Sequence, residues 1–163
     1  MRPPRARAVT RTTAAALTML LAAGLTGCGL TIPTDPDGTL GRITDGMLRA
    51  GASPSAGLVT VEGDEVSGPL ADLVEGFARE HGAEVTWIVD SEEDLVDDLA
   101  DGELDLAVGG MTDATPWTTL VSVTRGYPGI PGADGAPVVM LLPLGENALQ
   151  SALETYLDQE VGG

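Results

Sequence analysis

The sequence predicts an α/β fold in one domain, with a mainly parallel sheet flanked by helices. Three observations predict it. First, β-rich and helix-periodic stretches alternate from Met47 to Val108, in the order strand, helix, strand, helix, strand. That order calls for right-handed crossovers and parallel pairing. Second, both helical stretches carry start and stop signals. Gly68-Pro69 and His81-Gly82 bracket one; Asp90-Ser91 and Asp101-Gly102 bracket the other. Third, a chain of 163 residues has room for one ordinary domain and its core.

The chain begins with Arg2, Arg5, Arg7 and Arg11, then the apolar run Ala14 to Leu25, and no acid precedes Asp35. The run falls short of the roughly 20 apolar residues of a membrane span. A basic start, a short apolar core and small residues before a cut read as a secretory signal. The run ends Leu25-Thr26-Gly27-Cys28, which resembles the bacterial lipobox, whose cysteine is lipidated. This resemblance assigns 1-27 to a lipoprotein signal peptide and lipidation to Cys28, the only cysteine. It implies a diacylglyceryl anchor on Cys28 in the cell membrane, with the protein on the extracytoplasmic face. One cysteine excludes a disulfide framework. Residues 28-38, with Pro33, Asp35, Pro36 and Asp37, read as a lipidated tether.

Beyond the tether, Thr39 to Met47 has the makings of one or two helical turns, with Leu40 and Ile43 on one side. Met47 to Ala52 reads as the first strand and Ser53-Pro54 as its exit loop. Leu58 to Val61 is a second extended run, followed by a turn at Glu62-Gly63-Asp64-Glu65. In the first long helix, Pro69 suits the opening turn and Leu70, Leu73, Val74 and Phe77 recur at helical spacing. Glu84 to Val89 is β-rich. Ser91 caps the next helix, Asp94 completes a capping-box-like pattern, and Leu95, Val96 and Leu99 face inward. A strand follows at Leu104 to Val108, a second extended segment runs toward Tyr127, and Pro137 to Pro143 is a fully apolar strand. A last helix after Gly145-Glu146-Asn147 turns Leu149, Ala152, Leu153, Tyr156 and Leu157 inward.

Charge narrows the partners. The chain has eight arginines, no lysine and 25 acids, for a formal net charge of -17. Cleavage before Cys28 removes four arginines and leaves 4 minus 25, or -21. Such a chain repels phosphate backbones, which argues against nucleic acid as a partner. It also lacks a polybasic patch for anionic lipid.

The stretch from Leu104 to Tyr127 carries the strongest functional signal. Its strand ends at Gly109-Gly110, and Met111-Thr112-Asp113-Ala114-Thr115-Pro116-Trp117 follows, rich in hydroxyls. On its own, a strand followed by two glycines is a tight loop. The order strand, Gly-Gly-Met-Thr, Thr-Pro, second strand, Tyr resembles the ligand-side segment of family 3 extracellular solute-binding proteins of ABC importers. Met47 to Pro54 resembles that family's opening Leu-Arg-Val-Gly-x-Ser-Pro. Gly68 with Asp72-Leu73, and Pro143 with Gly145-Glu146-Asn147, match two further motifs. The resemblance covers nearly all of 39-160. It implies a single lobe of a type II periplasmic-binding-protein fold, a small polar solute such as an amino acid, and an ABC permease or another membrane protein as partner. Ligands of such sheets bind beyond the carboxyl ends of the strands. The groups placed to bind are Ser53, Gly109, Gly110, Met111, Thr112, Thr115 and Trp117: glycines for close approach, hydroxyls and backbone N–H as donors, tryptophan as an apolar face.

Two departures qualify that reading. The family has a second lobe between the Pro-Tyr exit and the return strand, but here nine residues, Pro128 to Ala136, separate them. Even one strand–helix–strand unit needs about 30 residues. Thr118 stands where amino-acid binders carry the arginine that clamps the ligand carboxylate. Solute binding is therefore expected to be weak if it occurs. The alternative is an accessory interaction lipoprotein that keeps the fold without a working pocket. A dehydratase-like enzyme needs a placed acid or base; no catalytic residue, cofactor or metal ligand set is identified. His81, the only histidine, falls at a helix C-terminus. Asp94, Asp97, Asp98 and Asp101 share a helix face that reads as solvated rather than as a cation site. Trp117 either covers a ligand or packs on the sheet.

Overall fold

The computed structural model describes residues 37–162. The expected signal peptide, Cys28 and nearly all of the expected tether lie outside the described residues.

A five-stranded sheet is flanked by helices on both faces. In chain order the elements are α1 (Thr39–Ile43), β1 (Met47–Ala52), β2 (Thr60–Glu62), β3 (Glu65–Ser67), α2 (Pro69–Glu80), β4 (Glu84–Val89), α3 (Glu92–Ala100), β5 (Leu106–Val108), a 3-10 turn (Pro116–Thr119), β6 (Ser122–Val123), β7 (Leu141–Leu142) and α4 (Asn147–Glu160). The sheet order is β4-β1-β5-β7-β6. β1 pairs in parallel with β4 and β5, and β7 runs antiparallel to both β5 and β6. Four strands thus point one way and β7 alone returns, which makes the sheet mostly parallel. This is the one-domain, mainly parallel α/β architecture that the sequence predicts.

Strand alternation sorts the core into two layers. Leu48, Ala50 and Ala52 of β1, Leu106 and Val108 of β5, and Met140 and Leu142 face the layer built by α2 and α4. Ala107, Val139 and Leu141 face the other, where α3 supplies Leu95, Val96 and Leu99. Gly51 lets α3 approach: a β-carbon there would lie 2.7 Å from Leu95 Cδ2 and 2.8 Å from Leu104 Cδ1. The helix ends follow local chemistry. Pro69 opens α2, and Gly82 at φ +67° ends it in the left-handed region that favours glycine. Ser91 Oγ accepts from Asp94 N–H at 3.2 Å and donates to Asp94 Oδ2 at 2.5 Å. The Ser91 N–H is met by Asp90 Oδ1, so the box is built by hydroxyl and neighbour rather than by full reciprocity.

Three expectations change in detail. The run at Leu58 to Val61 contributes β2, which forms a separate antiparallel hairpin with β3. The segment toward Tyr127 opens with the 3-10 turn, so β6 is short. Of the apolar run Pro137 to Pro143, only Leu141–Leu142 joins the ladder. The Met140 N–H donates to Thr124 Oγ1 at 2.9 Å, and Val138 bridges to Thr112 and Tyr127. Side-chain and loop partners thus satisfy backbone groups that a longer strand would pair.

Candidate functional site

β1 and β5 are parallel neighbours and end side by side. The Ser53 N–H donates to Val108 O at 2.9 Å, which ties the exit of β1 to the end of β5. The chains are close: a β-carbon on Gly109 would lie 2.9 Å from Met111 Sδ and 3.2 Å from Ser53 Cβ. Ser53 and Met111 are buried, whereas Gly110 is exposed. A β-carbon on Gly110 would meet Ser55 Oγ at 2.8 Å and Glu92 Oε1 at 3.9 Å. The exits of β1 and β5 and the first turn of α3 therefore lie together at the carboxyl ends of the strands.

The loop beyond it is pinned to the return segment. Val139 N–H donates to Met111 O at 3.0 Å, and Asp113 N–H to Pro137 O at 3.1 Å. Thr115 N–H closes a turn on Thr112 O at 2.9 Å. Thr115 Oγ1 is buried and has no hydrogen-bond partner among the described residues. Trp117 is half-buried in the 3-10 turn and packs against the α3-side core. Thr118 is exposed. Ser53, Gly109, Gly110 and Met111 thus converge; Thr112 and Thr115 lie further along the same loop; Trp117 engages the core.

Sequence reasoning passed over Ser55 and Glu92. Glu92 opens α3 just after the carboxyl end of β4, and that position was the signal available. Its carboxylate has no ion pair or hydrogen bond among the described residues. Three acids, Glu92, Glu93 and Asp94, crowd the first turn of α3, where the helix dipole favours them.

Arg42, Arg49 and Arg125 are engaged elsewhere. Asp105, fully buried, accepts from Arg49 Nη2 at 2.6 Å and Arg42 Nη2 at 2.7 Å. It also accepts from the Arg49 backbone N–H at 2.9 Å. Burial works to raise the Asp105 pKa, but the hydrogen bonds from Arg49 and Arg42 outweigh it and hold the carboxyl below its ordinary value. This cluster lines a concavity of about 490 Å³ with Asp37, Thr39, Gly102, Leu104 and Pro143, at the amino ends of β1 and β5. Arg125 pairs with Glu154 at 3.0 Å and Asp158 at 2.7 Å, and lies 5.7 Å from the Tyr127 ring centroid. Those partners, Asp158 first, raise the Arg125 pKa. Burial pushes the Tyr127 hydroxyl up to about 12. Arg79 is in the last turn of α2. His81 ends that helix with Nδ1 3.0 Å from Phe77 O and its ring 4.4 Å from Phe77. The aspartate face of α3 is at the surface, with Asp94, Asp97 and Asp101 exposed.

No protein-family model matches the chain, and no curated protein matches it. Solved structures do. Domain 1 of TmArgBP, in its arginine-bound form, superposes with a TM-score of 0.63 at 20% identity, covering 73% of this chain and 97% of that one. A phenylalanine-to-tryptophan variant of the same arginine-bound domain gives 0.64 at 19% identity, covering 75% and 97%. The chain is similar in fold to this stand-alone lobe.

Proposed function

We propose that this chain is a one-lobed, solute-binding-like protein, anchored by lipid at Cys28 on the extracytoplasmic face and associated with an ABC importer. The small polar solute would sit where the exits of β1 and β5 meet. The observation that carries the reading is the fold: the chain spans nearly the whole of a single domain that is known bound to arginine. That neighbour also bears on the missing lobe, since it holds its amino acid as one domain. A single lobe still leaves one side of a ligand in water, and enclosure supplies much of the affinity of such sites. The exposed Thr118, in place of a clamping arginine, weakens carboxylate recognition further. Binding of free amino acids is therefore expected at about millimolar Kd, near -4 kcal/mol.

Titration calorimetry on the mature protein in detergent, with amino acids, amines and short peptides, tests this. Saturable binding of any one of them supports solute recognition. Binding of none would overturn it and favour the second reading, an accessory lipoprotein with the Gly109 to Trp117 loop as a protein contact. The packing of Met111 into the α3-side core favours that second reading, because its side chain is then not offered to a solute.

A further inference from the structure

We infer that the outer face of α2 holds a short peptide by its two free termini, at a site that shares no residue with the exits of β1 and β5. The site is a concavity of about 400 Å³ between α2, the end of α4 and the connection Pro128 to Ala136. That volume falls within the usual range of small-molecule pockets. The connection is fastened in place: Ile130 and Ala133 are buried in the core, and Gly129 packs so closely on Val161 O that a β-carbon there would overlap it. Leu73, Pro131 and Val161 give the concavity apolar walls.

Its charged groups stand in opposition. Arg79 lines it and is exposed, and among the described residues it is the arginine with no ion pair or hydrogen bond. Its guanidinium leans back along the helix, since a β-carbon on Gly76 would lie 3.6 Å from Arg79 Nη2. Asp72 precedes Gly76 by four residues on the same helix face, a spacing of about 5–6 Å. Its carboxylate also lines the concavity and makes no ion pair with Arg79. A separated pair of opposite charges is complementary to a zwitterion. Glu160 lines the concavity too, so two carboxylates face one guanidinium and a simple anion gains nothing by entering. A free α-amino acid carries both its charges on one carbon. One added residue extends the ligand by up to about 3.6 Å. Its carboxylate can then meet Arg79 while its ammonium meets Asp72, and its side chains meet Leu73, Pro131 and Val161. The Tyr156 hydroxyl packs on Gly76 beside Arg79 and makes no hydrogen bond among the described residues, so it has a proton to offer the same carboxylate. Burial first, then the Glu160 and Glu80 charges, raise the Tyr156 pKa, which keeps that proton in place at neutral pH.

Blocked peptides isolate each terminus. Calorimetry on the mature protein in detergent, at about 0.15 M salt, compares alanyl-leucine with its N-acetylated form, its C-terminal amide and free leucine. Alanyl-leucine is expected to bind saturably, and each of the other three about fivefold or more less tightly. Arg79→Gln is expected to weaken alanyl-leucine about tenfold and to abolish the difference between the peptide and its amide. Asp72→Asn is expected to abolish the difference between the peptide and its N-acetylated form. Glu75→Gln, an exposed acid of the same helix outside the concavity, is expected to leave binding unchanged. These three side chains are exposed and make no hydrogen bond or ion pair among the described residues, so the fold does not depend on them. Alanyl-leucine bound as tightly by Arg79→Gln as by the parent overturns the inference and leaves solute binding at the exits of β1 and β5 standing. Free leucine binding as tightly as the peptide overturns it, because the spacing argument then fails. A loss in Glu75→Gln equal to that in Arg79→Gln overturns it too, since it reports the helix rather than the guanidinium. Absence of alanyl-leucine binding overturns it whether or not free amino acids bind elsewhere.

Discussion

Asp105 offers the sharpest test of what holds this lobe together. Its carboxylate is wholly buried and accepts five donors: Arg42 Nη1 and Nη2, and the backbone N, Nε and Nη2 of Arg49. The two shortest, at 2.6 and 2.7 Å, come from guanidinium groups. Asp105→Asn keeps the shape, removes the charge, and turns an amide NH2 toward groups that only donate. Hydrogen bonds to charged groups contribute about 1.5–3 kcal/mol each, and removing one partner of a buried ion pair costs about 3–5 kcal/mol. The arginine side chains are 44% and 32% exposed, so water can recover part of their loss. That discount places Asp105→Asn at about 3 kcal/mol. For a lobe of this size the matching fall in Tm is about 10 °C.

The pH dependence has a definite sign. The Asp105 pKa is lower in the folded protein than its ordinary value of 3.8. A depressed acid contributes stability that is fully present above its unfolded pKa and is lost as pH falls through its folded pKa. The gap between parent and Asp105→Asn should therefore hold steady at neutral pH and shrink below about pH 4. Urea unfolding at several pH values measures it, with Asp97→Asn as an exposed control expected within about 0.5 kcal/mol of the parent. A parent–variant gap under about 0.5 kcal/mol at pH 7 would refute the argument that this carboxylate is held by its arginines.

Three further outcomes are expected. Cys28→Ser should release the protein from the membrane fraction; a variant still tightly membrane-bound in detergent-free fractionation would remove the lipid anchor from the reading. Cut before Cys28 as proposed, the chain carries 25 acids against four arginines, so its unfolding midpoint should rise as ionic strength goes from about 0.01 M to about 1 M and the Debye length contracts; a flat midpoint would contradict this. Thr118→Arg places a guanidinium on the exposed 3-10 turn beside Trp117, and should tighten binding of arginine. Calorimetry on parent and variant reads that change, and an unaltered affinity would mean that position 118 does not reach the solute.

The parts of the fold that were legible in the sequence are those with local causes. Pro69 and Gly82 bracket α2, Ser91 starts α3, and the Val- and Trp-bearing run of β4 needs only its own residues to read as a strand. The convergence of Ser53 with Gly109 followed from strand order alone, since parallel neighbours end on one side. What stayed hidden depends on distant partners. Asp105 looks like the polar half of an alternating strand, yet its partners are 56 and 63 residues away. The shortening of β7 depends on Thr124, whose hydroxyl takes the Met140 N–H from 16 residues earlier in the chain. Glu146 reads as part of a Gly-Glu-Asn motif, and only the fold shows its carboxylate accepting from the Asp37 and Thr39 N–H groups at the start of α1.

The same distribution of partners decides the electrostatics of the candidate site. Arginine is the only side chain that is always cationic in the described residues, because the chain has no lysine. Two of its arginines are committed to Asp105 and a third to Glu154 and Asp158. These pairs fasten α1 to the sheet and the segment after β6 to α4, so the guanidinium groups serve the fold. At the ends of β1 and β5, Glu92 makes no ion pair with a guanidinium among the described residues. Stability and selectivity are thus linked: moving an arginine to the ends of β1 and β5 from Asp105 would cost the lobe its buried pairs. Adding one at position 118 would not, since Thr118 is exposed and carries no such duty.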